Sequence, residues 1–97
     1  MFQKIKLSSS IILKIAAGKS FSLQLVLANQ MKTVREFRKI GNENGSDIIF
    51  SHTSILYDAD NKIVNHQSLS PISTRNCQII VLIEGLLNNG FTEVTDN

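Results

Sequence analysis

The sequence predicts an α+β domain in which a mixed sheet of four to five strands packs on one helix. Three observations predict it. Phe21, Leu23, Leu25 and Leu27 alternate with smaller or polar residues, the two-residue period of a strand with one buried face. Thr33-Val-Arg-Glu36 matches a capping box, in which the threonine oxygen and the glutamate each satisfy a free N–H of a first helical turn. "CQIIVLIE", from Cys77 to Glu84, is a continuous apolar run bounded by polar residues, as in a central strand buried on both faces.

Taken in order, residues 1–8 form an N-terminal extension. Ile11, Leu13 and Ile15 alternate with Ile12, Lys14 and Ala16, so a first strand is expected over about 10–16. Ala16-Ala-Gly-Lys19 would be the turn of a β-hairpin, with Gly18 supplying a left-handed backbone position. Gly18-Lys-Ser20 also matches the tail of a phosphate-binding loop. That loop needs a second glycine five residues earlier, where Leu13 stands, and a helix directly after the serine, where the strand pattern begins. Both requirements fail, so no nucleotide site is expected.

A helix is expected within "ANQMKTVREFRKIG", with Met31, Val34, Phe37 and Ile40 on one side and Gly41 as the stop. "NENGSD" is a polar loop. "DIIFSHTSILY" reads as one strand or two short ones, with Ile48, Ile49 and Phe50 at least partly buried. Asp58-Ala-Asp-Asn61 is a turn. It opens like a calcium loop, but Ile63 and Leu69 occupy the places that need glycine and glutamate, which excludes that reading. "KIVNHQSLSPIS" reads as an irregular connection holding the one proline, Pro71, and residues 86–97 as a C-terminal tail. With the first and last strands side by side and parallel, the helix would cover one face of the sheet.

Ninety-seven residues that are 42% hydrophobic suit one domain with a modest core. The lone Cys77 cannot form an internal disulfide, which points to a reducing, intracellular compartment. The cytoplasm is the expected place. The mitochondrion is the alternative, because the first eighteen residues carry lysines and serines and no acid. No apolar run is long enough to cross a bilayer. The sequon at Asn44-Gly-Ser46 reads as a turn.

Charge divides sharply along the chain. Residues 1–39 hold eight Lys/Arg against Glu36 alone, and residues 40–97 hold two basic residues and seven acids. A basic face built from Lys4, Lys6, Lys14 and Lys19 is a candidate for contact with an acidic partner.

The order of these elements over residues 9–85 resembles ubiquitin and its β-grasp relatives. The marks are "IILKIAAGKSFSLQL" as first hairpin, "KTVREFRKI" as helix, "DIIFSHTSIL" as third strand, "SLSPI" as the short turn, and "NCQIIVLIEG" as the final strand. Modifiers of that family end in Gly-Gly. Here Gly90 follows Asn89, and seven residues lie beyond it. The resemblance implies an aliphatic partner-binding patch, whose positions fall on Ala16, Ile49, Gln78 and Ile80.

Chemistry has little to work with. His52, His66 and Cys77 lack the close spacing of zinc ligands. Cys77 opens an apolar run, where a cysteine is expected as inert packing. No catalytic residue, cofactor, metal or small-molecule substrate is expected. Single-strand nucleic-acid binding needs exposed aromatics, and Phe2, Tyr57 and Phe91 are scattered. The expected function is therefore a non-catalytic, ubiquitin-like protein-binding domain serving as a small subunit of a larger assembly. The alternatives are a divergent modifier or sulfur-carrier-like protein processed at its C-terminus, and an RNA-binding accessory protein using the basic half.

Overall fold

The computed structural model describes residues 8–43 and 45–94. Its first element is a helix, α1 (Ser9–Ala17), where a strand was expected. Ser8 caps it, its Oγ accepting from the Ile11 N–H at 3.2 Å. At the far end Gly18 stands at φ 68° and donates to the Ile15 carbonyl, while Lys19 donates to that of Lys14 at 2.8 Å. These paired bonds are a Schellman motif. The left-handed glycine read from sequence is thus present, but it closes a helix instead of turning a hairpin. Ile11 and Ile15, one turn apart, are buried. Alternation and helical spacing both fit this short stretch, and the flanking serine and glycine decide between them.

The strands follow as β1 (Phe21–Val26), β2 (Lys32–Glu43), β3 (Asp47–Tyr57) and β4 (Ile63–Ser73). A second helix, α2 (Gln78–Asn88), leads to the two-residue β5 (Thr92–Glu93). The sheet order is β4-β3-β2-β1-β5, and every pairing is antiparallel. The expected strands at Phe21 and over "DIIFSHTSILY" are present, the latter as one continuous strand. The Asp58 turn is also present, with Asp58 Oδ1 accepting from the N–H groups of Asp60 and Lys62, each at 2.9 Å.

Both helices lie on one face of the sheet. Phe21, Leu23, Phe37 and Phe50 point toward them and form one core with Ile11, Ile15, Ile79, Ile83, Leu86, Leu87 and Phe91. The Phe21 ring stacks on Phe37 at 5.0 Å and meets Phe50 edge-on at 5.9 Å, both favourable geometries. Glu93 fastens β5 to Ser8 and α1. Its carboxylate accepts from Lys14 Nζ at 2.8 Å, Ser10 Oγ at 3.0 Å and Ser8 Oγ at 3.3 Å.

This architecture overturns the β-grasp expectation of a mixed sheet holding a single helix. The expected opening strand is α1, the expected helix is β2, the irregular connection is β4, and the expected central strand is α2. Among the described residues no parallel pair remains to be bridged by a helix. In β2, Val34 and Phe37 lie on opposite faces, and Thr33 is paired with Leu25 and Leu56. The capping-box pattern was coincidental. In α2, the buried Ile79, Ile83, Leu86 and Leu87 have helical spacing that only shows once the apolar run is followed past Glu84.

Among the described residues β4 is an edge strand, and irregularities interrupt it. Its register against β3 shifts between Phe50 and His52, where Pro71 is accommodated, and again between Leu56 and Tyr57. Bulges and proline are devices that discourage edge-to-edge pairing. Among the described residues, no helix is long and apolar enough to cross a membrane.

Candidate functional site: the open face of the sheet

Side chains alternate along a strand, so the residues between the core positions point away from the helices. Register assembles them into rows. Val26, Lys32, Tyr57 and Ile63 form one, and Gln24, Val34, Ile55 and His66 the next. Ser22, Glu36, Thr53 and Ser68 form a third, with Arg38 opposite Ser51 beyond it. The face is therefore graded, apolar toward the Asp58 turn and polar toward the α1–β1 corner. Val26 and Ile63 are 67% and 60% exposed, whereas Val34 and Ile55 are buried between the rows flanking them. Lys32 Nζ lies 5.2 Å from the centre of the Tyr57 ring, a cation–π contact that holds the tyrosine in place.

At the polar end this face is concave. A trough of about 370 Å³ runs across the strands, from His66 on β4 to Val94 just beyond β5. Ser51 and Thr53 of β3, Glu36 and Arg38 of β2, and Ser22 of β1 line it, with Ser20 and Lys14 at the corner. Neither Glu36 nor Arg38 has a side-chain partner among the described residues. The Lys39 stem lies against Gly18, its Cδ 2.9 Å from where a Cβ would stand. Lys39 is paired with Phe50 and shares the covered face with it, whereas Arg38 beside it points to the open face. Lys14, which also lines the trough, is neutralised by an ion pair with Glu93 at 2.8 Å. Burial pushes the Glu93 carboxyl up, but hydrogen bonds from Lys14, Ser10 and Ser8 and the lysine charge outweigh it and hold the carboxyl below its ordinary value.

A second polar cluster lies on the covered face. Arg35 Nη1 is 3.0 Å from His52 Nε2, the His52 ring stacks on Phe37 at 4.8 Å, and the guanidinium lies over Phe91 at 5.8 Å. Guanidinium only donates, so His52 accepts and is neutral. Burial first, and the Arg35 charge second, lower its pKa from the ordinary 6.5. Arg35 Nε is buried without a partner.

The residues expected to form an aliphatic patch do not come together on one sheet face. Ala16, Gln78 and Ile80 lie on the helices, and Ile49 lies on β3. Their common placement depended on the β-grasp arrangement. Lys14 lines the trough, Lys19 is joined to it through the backbone, its N–H donating to the Lys14 carbonyl, and Lys4 and Lys6 fall outside the described residues. Cys77 is exposed at the start of α2, not packed in a strand. Among the described residues, no three His, Cys, Asp or Glu side chains gather as metal ligands. Sequence reasoning missed Glu36, Arg38, Ser51, Thr53 and His66. The period-two spacing Glu36/Arg38 and Ser51/Thr53 was the available signal, and the apparent helix cap obscured the first pair.

No family model, curated protein or solved structure matches the chain.

Proposed function

We propose that the protein is a non-catalytic binding domain that engages another protein through the sheet face its helices leave open, as a subunit of a larger assembly. One observation carries this reading. Val26, Tyr57 and Ile63 form an apolar margin around Val34 and Ile55, and a polar, hydrogen-bonding trough adjoins it on the same face. An apolar centre beside a polar margin is the composition of a protein interface. RNA is less well suited to this face, where Tyr57 and the His66 imidazole are the rings on which a base could stack and stand in separate rows.

The processed-modifier reading meets an obstacle in the core. Gly90 is followed by Phe91, which is 7% exposed and packs with the helices, and then by β5. Cleavage after Gly90 would remove both.

The test is capture of partners from the native source with full-length protein carrying Tyr57→Ala or Ile63→Asp. We expect co-purifying protein to fall at least about tenfold, equivalent to about 1.4 kcal/mol, while the thermal midpoint holds. A partner set unchanged by both substitutions would refute the open face as the interface. Loss of the partners on nuclease treatment would favour the RNA reading instead.

A further inference from the structure

We infer that the open face is covered by a second copy of this chain, the two sheets meeting about a twofold axis that runs along the row Gln24, Val34, Ile55 and His66. The inference rests on the proposed open-face interface and names its occupant.

Symmetry comes first. A twofold axis along that row reverses strand direction and leaves strand order unchanged, so each strand faces its own copy. The row on one side of the axis then meets the row on the other. These two rows differ in shape. Val26 and Ile63 stand exposed beside Tyr57 on one side, while Ser22 and Thr53 line the trough of about 370 Å³ on the other. The ridge of each copy enters the trough of its neighbour, which makes the face self-complementary.

Charge matches under the same operation. Lys32, Val34 and Glu36 share the open face of β2, so an axis through Val34 sets Lys32 opposite Glu36 of the second copy. Within one chain these two stand four residues apart on a strand, about 13 Å, too far to pair with each other. Glu36 has no side-chain partner among the described residues. Sheets stacked about 10 Å apart bring an ammonium and a carboxylate of facing strands within reach. The Tyr57 hydroxyl meets that of Thr53, and each can donate or accept.

Area is the third consideration. Four strands about 4.8 Å apart and seven residues long project to roughly 450 Å² per copy. Side-chain relief adds to this, so the pair buries on the order of 1,000 Å², the small end of specific interfaces. That size suits a reversible dimer.

The experiment is sedimentation equilibrium of the full chain, with the emission of Tyr57, the one tyrosine, as a second readout. A dimer half-formed near roughly 100 μM is expected for a face of this size. Lys32→Glu and Glu36→Lys should each weaken it about tenfold. Combined in one chain they should restore it, because the exchanged charges again face each other across the axis. Val81→Asp, on the exposed side of α2, should leave it unchanged. A chain still monomeric at about 1 mM, or a double variant no tighter than the single ones, overturns the inference. So does a dimer that only Val81→Asp disrupts, which would assign self-association to the helices. If the chain is monomeric while Tyr57→Ala still strips partners in the capture experiment, the open-face interface stands and only the second copy falls as its occupant.

Discussion

Gly18 illustrates how a single residue can be read correctly in conformation and wrongly in context. Its φ of 68° is costly for any residue with a Cβ, and the sequence announced that need. Whether the bend ended a helix or joined two strands depended on Ser8, ten residues earlier, capping the same segment. Gly18→Ala should destabilise the fold by about 1 kcal/mol in chemical denaturation, because the new methyl meets left-handed strain and a movable Lys39 side chain. Gly41→Ala, with open space around it, is the control. His52 carried no sequence signal, since its partner Arg35 is seventeen positions away and meets it only through strand pairing. Its lowered pKa means that the unfolded chain takes a proton first. Stability is therefore full above about pH 6.5 and declines as pH falls toward the folded-state value. The thermal midpoint should drop between pH 7.5 and 5.5, and His52→Phe should flatten that drop. A slope that survives the substitution would assign it elsewhere. Glu93 acts in a lower window. Its contribution is present above about pH 4.5 and disappears as pH falls through its own depressed value.

Among the elements, β1, β3 and the Asp58 turn were legible because each shows one dominant local pattern. The misread α1 and β2 share a different trait, in that two periods fit each of them over a short window. In α2, five consecutive apolar residues hide any period, and the deciding Leu86 and Leu87 lie beyond an acid and a glycine. Tertiary packing, not propensity, then selects the helix, because its apolar stripe closes over Phe21, Phe37 and Phe50. Ile83 is fully buried in that stripe. Ile83→Ala should cost about 2–5 kcal/mol in denaturant unfolding, whereas Val81→Ala, on the exposed side of the same helix, should change stability by less than about 1 kcal/mol. Equal effects at the two positions would place the helix in the wrong rotation about its axis.

For the molecule as a whole, the binding surface could not be read before the register was known. Glu36, Ser51 and His66 come from different strands and Val94 follows β5, and only the order β4-β3-β2-β1-β5 sets them along one trough. The sequence did expose its raw material, namely basic residues concentrated in the first thirty-nine positions and an excess of acids after them. Folding reverses part of that separation by bringing Glu93 onto Lys14, and it spreads the other cations, Lys32 to the Tyr57 end of the open face, Arg35 to His52 on the covered face and Arg38 to the trough. The same contact has a topological consequence. Ser8 and Glu93 touch, so positions 8 and 94 lie within a short linker's reach, and the fold is nearly a closed ring. A circularly permuted chain, joined there and opened in the solvent-facing bend at Ala59, would keep every strand beside its present neighbours.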